Sequence, residues 1–173
     1  MSYVEFLAAH HDRKSFDCGK EPLNRFIRTQ AQQNADRDLG VTHVVVTEVG
    51  DAQILGYFTL VTRQIESASL PRPNKLPAGP IGVALLGRLA VDLRSQKQRL
   101  GVRMLLRAMS EVEHIARTIG IHALVLDVLD ELARIWYLGL DLGFRPLPEQ
   151  TDRLFVPVSY IRQLELGPLT PEL

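Results

Sequence analysis

The sequence predicts an α/β protein with a mixed central sheet and helices on both of its faces. Two β-rich segments joined by a tight turn come early, as a hairpin. A strand–helix–strand unit follows mid-chain, and its long helix is amphipathic. At 173 residues, 46% of them apolar, the chain is long enough for one well-cored domain and short for two, so residues 1–173 read as a single domain.

Residues 3–7 read as a short edge strand and residues 10–17 as a polar loop, with His10 and His11 facing solvent. Neither these two nor His43, His114 and His122 show metal-ligand spacing, so no metal is expected. Pro22 suits a first helical turn, and Leu23, Phe26, Ile27, Ala31 and Ala35 form one apolar stripe, which predicts a single first helix. The lone Cys18 excludes an internal disulfide and suits the cytosol; beside Phe16 it reads as a packed small residue rather than a nucleophile. Residues 41–49 are rich in β-branched side chains, Gly50-Asp51 turns them, and a second strand runs from Gln53 to about Arg63. Four prolines and a glycine in residues 70–80 predict a surface loop.

The centre of the chain is more telling. Residues 83–91 are almost continuously apolar, broken only by Gly87 and Arg88, as in a strand buried on both faces. From Met104, apolar residues fall at Leu105, Ala108, Met109, Val112, Ile115, Ala116 and Ile119, with Gly120 placed to close the helix. Between strand and helix lie Arg94, Ser95, Gln96, Lys97, Gln98, Arg99 and Gly101, so the positive end of the helix emerges from a cationic turn. That arrangement favours a phosphate. Net charge is zero, yet residues 88–107 carry six basic side chains against Asp92 alone, and beyond Gly120 four basic residues face eight acidic ones. A local basic face of this kind suits a nucleotide cofactor with RNA beside it better than a membrane; Arg88, Arg94 and Arg103 are its RNA-binding candidates. Arg88 can reach a phosphate or pair with Asp92.

Residues 121–128 form the next strand, and Asp130 caps a helix from Glu131 to about Gly139 that carries Trp136, read as core, and Tyr137. Short strands follow near residues 144–146 and 153–158, and residues 167–173 read as a loose tail. With no secretory pattern and no apolar run near ~18 residues, the chain reads as cytoplasmic and free of the membrane.

The strand, turn and helix resemble the acetyl-CoA-binding segment of the GNAT N-acetyltransferases, whose turn carries Gln or Arg, two residues, Gly, one residue, then Gly or Ala. Here Gln96 and Gly101 match the first and last positions, and Arg99 stands at the middle glycine. A glycine there lets the backbone approach a pyrophosphate at positive φ; Arg99 can instead bring a guanidinium to it. The resemblance spans nearly the whole chain and implies the GNAT acyl-CoA N-acyltransferase fold, in which residues 83–91 and 121–128 are a splayed parallel pair that admits the pantetheine arm. It implies cofactor contacts from Leu89, Ala90, Val91, Gln96, Lys97, Gln98, Arg99, Leu100, Gly101 and Val102.

Six further segments are together similar to the GNAT toxins of bacterial toxin–antitoxin pairs. These are Phe16-Asp17-Cys18-Gly19 before Leu23-Asn24-Arg25-Phe26, Gly56-Tyr57-Phe58-Thr59-Leu60, Leu86-Gly87-Arg88-Leu89-Ala90-Val91-Asp92, and Ala133-Arg134-Ile135-Trp136-Tyr137 ahead of Gly143-Phe144. This resemblance implies acetyl transfer from acetyl-CoA to the α-amine of aminoacyl-tRNA, which blocks peptide-bond formation. It also implies a ribbon–helix–helix antitoxin, a homodimer, and Tyr137 as the catalytic residue. The chemistry is self-consistent. An α-amine with a reference pKa of about 7.7–8.0, lowered further by its ester, needs no strong base. Backbone N–H groups where the strand bulges near Leu89 to Val91 can polarise the thioester carbonyl, and Tyr137 can protonate the departing thiolate. Alternatively Tyr137 is a core aromatic with its hydroxyl on a backbone carbonyl. Two other functions stay open. One is a GNAT acting on a small-molecule or protein amine, which predicts an acidic pocket around Asp127, Asp130 and Glu131. The other is a catalytically impaired CoA-binding or antitoxin-binding protein, disabled by Arg99.

Overall fold

Near-continuous buried runs rich in β-branched residues build the early strands, and the computed structural model, which describes residues 1–71 and 75–173, joins seven strands into one sheet in the order β1-β2-β3-β4-β5-β7-β6. In chain order the elements are β1 (Tyr3–Phe6), α1 (Glu21–Thr29), α2 (Ala31–Asp36), β2 (Val41–Val46), β3 (Gly56–Glu66), β4 (Pro80–Val91), α3 (Leu100–Ile115), β5 (Ala123–Asp127), α4 (Glu131–Gly139), β6 (Arg145–Pro146), β7 (Arg153–Pro157) and α5 (Val158–Gln163). β1, β2 and β3 are antiparallel neighbours, as are β5, β7 and β6; β4 and β5 are parallel. The β4–β5 register runs only from Ala84↔Leu124 to Leu86↔Leu126, while β4 continues to Val91. The expected parallel pair is therefore present, with a register of three residue pairs.

The chain resolves into two compact units. The first comprises Met1–Val61, Gly87–Ala108 and Pro168–Leu173. Its core gathers Phe16, Phe26, Ile27, Val44, Val46, Ile54, Tyr57 and Ala90. Successive β3 residues face opposite ways: a Cβ on Gly56 would lie 2.7 Å from the Met104 sulfur of α3, while Tyr57 packs with Phe26 of α1. Helices thus cover both faces, and Gly56 is small because α3 leaves no room for more. The second unit, Thr62–Leu86 with Met109–Gly167, centres on Ile65, Leu70, Val83, Ala123, Val125, Leu147 and Phe155.

Several expectations are corrected. The single first helix is two, divided at Gln30, whose N–H closes α1 on the Phe26 carbonyl. Ala31 stays buried across the division, so the apolar stripe records the face and not the break. The second strand begins at Gly56 rather than Gln53, and α5 lacks a sequence signal long enough to read. Helix α3 ends at Ile115, where Arg117 and Thr118 tighten the exit through N–H bonds to His114 and Ile115, so Gly120 closes nothing. Gly120 matters differently, since a Cβ on Gly82 would lie 3.0 Å from its carbonyl. Of the 70–80 loop, residues 72–74 lie outside the described residues.

The tail is not loose. Val4 donates to the Pro171 carbonyl and Leu173 to the Ser2 carbonyl, Tyr3 bridges Glu172, and Arg103 and Arg107 donate to the Leu173 and Thr170 carbonyls. The open edge of β1 supplies the partners. Nor does His11 face solvent. It is buried, its Nδ1 accepting from the Ala8 N–H at 2.9 Å and its Nε2 lying 3.3 Å from Glu5. Glu5, His10 and His11 bring ligand-type atoms within 4.8 Å of one another. A neutral His11 that accepts at Nδ1 carries its proton on Nε2, which then donates to Glu5 and has no lone pair for a metal.

Candidate active site

The cationic turn is built on Asp92. As β4 ends, its buried carboxylate accepts from Arg94 Nε at 2.7 Å, Arg94 Nη2 at 2.9 Å, the Arg94 N–H at 3.0 Å and the Asp17 N–H at 3.2 Å. Burial would raise its pKa, but these bonds outweigh it and hold the carboxyl below its ordinary value. A 3₁₀ turn at Leu93–Ser95 follows. Gln96 then folds back, donating to the Val91 carbonyl at 3.0 Å and the Cys18 carbonyl at 3.2 Å. The loop before α1 is itself locked: Asp17 Oδ1 accepts from the Gly19 N–H and Asn24 Nδ2, and Asn24 Oδ1 accepts from the Cys18 N–H. Asp17 to Gly19 is therefore the brace of the phosphate turn. Gln96 braces with its side chain, leaving Lys97, Gln98 and Arg99 exposed ahead of α3.

Lys97 and Arg99 both take left-handed backbone, at φ 63° and 61°. Arg99 thus adopts at the motif's glycine position the conformation a glycine would, at a cost of roughly 1–2 kcal/mol. The first N–H groups of α3, at Leu100, Gly101 and Val102, lack intrahelical partners, so the turn and the helix start leave backbone donors that can face an anion. Leu100 is buried and fixes the start of the helix. Of the expected contacts on β4, Ala90 is core, whereas Leu89 and Val91 are half-buried.

The three RNA-binding candidates are distinguished by their partners. Arg94 is spent on Asp92, and Arg103 donates to the Leu173 carbonyl. Arg88 does not pair with Asp92: its guanidinium lies 3.7 Å above the Phe26 ring, and among the described residues no carboxylate meets it. Burial lowers its pKa without threatening its charge. Cys18 is buried and donates to Asn24 Oδ1; burial pushes its thiol up, against a nucleophilic role.

In the second unit, Asp130 caps α4 as expected, accepting from the Ala133 N–H at 2.9 Å. Tyr137 sits on the buried side of that helix, edge-on to Trp136 at 4.8 Å and to Phe144 at 5.9 Å. Gly143, at φ 83°, turns the chain so that Phe144 can reach it. Trp136 is only half-buried, not core. Two buried tyrosines differ in one respect. Tyr57 donates to the Leu23 carbonyl at 2.8 Å, but the Tyr137 hydroxyl has no hydrogen-bond partner among the described residues, and it is not among the sealed, unpartnered polar atoms. Burial raises its pKa, so it is a protonated phenol at neutral pH. Of the three acidic residues expected around an acceptor pocket, Asp127 is gripped by Arg153 at 2.6 and 2.9 Å and Asp130 caps the helix, while Glu131 is exposed.

No family model matches the sequence. Among curated proteins, "Probable toxin TacT" of Sinorhizobium fredii is 29% identical over 165 residues, covering 89% of each chain. A "tRNA-acetylating toxin" of Mycobacterium tuberculosis is 30% identical over 136 residues, covering 78% of this chain and 80% of that one. Among solved structures, AtaT complexed with acetyl-methionyl-tRNAfMet superposes with a TM-score of 0.86 at 33% identity, over 95% of this chain and 99% of that one. A Tyr-to-Phe mutant of the AtaT toxin, bound to acetyl-CoA and the C-terminus of the antitoxin AtaR, gives a TM-score of 0.81 at 31% identity over 94% and 97% of the two chains.

Proposed function

The chain belongs to the GNAT-type tRNA-acetylating toxins, and from that premise we propose how its residues divide the reaction. It is an acetyl-CoA-dependent N-acetyltransferase that modifies the α-amine of aminoacyl-tRNA, blocks translation and is neutralised by an antitoxin. The turn from Gln96 to Val102 takes the cofactor's phosphates: N–H groups of the Lys97–Arg99 turn and the start of α3 point at them, and the Arg99 guanidinium adds a charged contact. Backbone N–H groups of Leu89, Ala90 and Val91 polarise the thioester carbonyl. Arg88, Arg94 and Arg103 serve the RNA, with Arg88 the least compensated of the three.

The neutral α-amine attacks the acetyl carbon, forming the C–N bond as the C–S bond breaks. Tyr137 gives its proton to the departing thiolate and is restored by the proton the new amide nitrogen sheds. The observation that carries this reading is the Tyr137 hydroxyl, held on a buried ring without a partner of its own. A structural tyrosine at this depth would be bonded as Tyr57 is. The other readings lose their support. Two of the three acidic residues that a small cationic amine would want are engaged elsewhere, Asp127 by Arg153 and Asp130 as a helix cap, and Arg99 reaches the backbone conformation whose loss would have disabled the turn. Residues 1–173 act as one catalytic domain, in the cytoplasm, as a homodimer, with a ribbon–helix–helix antitoxin.

Cell-free translation tests the proposal. Added with acetyl-CoA the protein arrests synthesis, and with CoA alone it does not. Arrest without acetyl-CoA, or acetyl-CoA turnover on polyamines with translation intact, would refute it.

A further inference from the structure

Arg99, Arg103 and Arg107 are spaced by four, so they stand in a row along one side of α3 that starts at the phosphate turn. Arg99 is exposed and, in the reading above, meets the cofactor. The other two are held by the chain's own tail: Arg103 donates to the Leu173 carbonyl and Arg107 to the Thr170 carbonyl. That tail, Pro168–Leu173, is also pinned to the edge of β1, where Val4 donates to the Pro171 carbonyl and Leu173 to the Ser2 carbonyl, both at 2.8 Å. It is a strap that ties β1 to the basic row of α3.

The strap is a weak partner for the arginines it covers. It offers each guanidinium a neutral carbonyl, whereas a phosphate offers charged oxygens that match the guanidinium fork, and charge-assisted bonds are about twice as strong. Like charges four residues apart on a helix also repel, and a carbonyl offsets less of that repulsion than an anion does. Packing does not anchor the strap either. None of its six residues is buried, two are prolines with no N–H to give, and Gly167 just ahead of it stands at φ 82° with nothing within 4 Å of a would-be Cβ. We infer that the strap is an autoinhibitory placeholder, which occupies Arg103 and Arg107 until the phosphate backbone of RNA displaces it. This rests on the tRNA reading above and resolves a conflict within it, because Arg103 cannot serve the RNA while the Leu173 carbonyl holds it. RNA that touches this row alone has to break the strap's bonds first, so non-specific backbone binding is suppressed, while RNA that also engages the acetyl-transfer site still binds.

Fluorescence anisotropy with a fluorophore-labelled acceptor-stem RNA hairpin, over a range of salt concentrations, reads the strap on the full chain. Tyr3 and Glu172 oppose each other as a non-hydrogen-bonded antiparallel pair, the close kind that a disulfide can span, so Tyr3→Cys with Glu172→Cys locks the strap when oxidised; Cys18 is buried and stays as it is. The oxidised protein should bind roughly 10-fold more weakly than the same protein reduced, and its slope of log K against log salt should be shallower by about 1.4–1.8, the equivalent of two phosphate contacts. A chain ending at Gly167, shown to be folded by circular dichroism, should bind roughly 10-fold more tightly than wild type, and adding Arg103→Gln and Arg107→Gln to it should remove the gain. Acetyl-CoA affinity by calorimetry should be the same throughout. Equal affinity and slope in the oxidised and reduced proteins overturn the strap, as do a folded shortened chain that binds RNA no more tightly and a gain that appears for acetyl-CoA instead. Acetylation of aminoacyl-tRNA by the reduced protein separates the two levels: acetylation without any strap effect overturns the strap alone, and no acetylation overturns the tRNA reading and the strap with it.

Discussion

Replacing Arg99 with glycine separates two effects that act in opposite directions. Arg99 holds φ 61°, a conformation that costs an L-residue roughly 1–2 kcal/mol and glycine almost nothing. Glycine gives back about 0.4–1 kcal/mol through its freer unfolded chain, which leaves Arg99→Gly more stable by roughly 0.5–1 kcal/mol. For a chain of this size that is a rise in Tm of about 1–4 °C. The same change removes a guanidinium whose charged hydrogen bonds to phosphate contribute about 1.5–3 kcal/mol, so acetyl-CoA should bind roughly 10- to 150-fold more weakly. Thermal melts without ligand and titration calorimetry with acetyl-CoA measure the two effects separately. Lys97→Gly, at φ 63°, is the control for the backbone effect. Unchanged or tighter binding by Arg99→Gly would refute the phosphate contact, and a lower Tm would refute the strain.

Four further outcomes follow from the structure. Tyr137→Phe should lower kcat by about 10²–10⁴-fold while acetyl-CoA affinity holds, and, with no hydrogen bond lost, should leave the Tm within about 2 °C. Asp92→Asn should destabilise by about 2 kcal/mol in chemical denaturation, because it loosens Asp17 and Arg94 together. The folded Asp92 pKa is depressed, so its contribution is complete above the ordinary carboxylate pKa and disappears as pH falls through the folded value, more gently in the variant. Burial, with His10 adding to it, lowers the pKa of His11 despite Glu5, so the unfolded chain binds more protons just below pH 6.5; wild type should lose stability as pH falls there, and His11→Gln less so. Gly143→Ala combines a left-handed backbone at φ 83° with a Cβ driven into the Tyr160 ring, and should cost about 2–5 kcal/mol in equilibrium unfolding.

Legibility in the sequence followed the range of the interactions. β4, α3, β5 and the Asp130 cap are written in local periodicity and capping chemistry, and all four stand where the residues place them, to within a few positions. The phosphate turn was readable as charge before a helix, but its support was not. Asp92 and Asp17 are 75 residues apart, as are Gln96 and Cys18 to within a few, and no local pattern announces such bonds. Residues 167–173 look loose because what holds them is the edge of β1 and two arginines of α3. His11 looks exposed because its partners are a backbone N–H and a carboxylate six residues back. The difference between Tyr57 and Tyr137 is also tertiary: neither sequence context tells which hydroxyl finds a carbonyl.

The most direct test of the account incubates the protein with isotopically labelled acetyl-CoA and total aminoacyl-tRNA, then identifies nuclease-released nucleosides by mass spectrometry. The account predicts labelled N-acetyl-aminoacyl-adenosine from wild type and little from Tyr137→Phe. Label on the RNA bases, on protein alone, or nowhere at all despite saturating acetyl-CoA would contradict it.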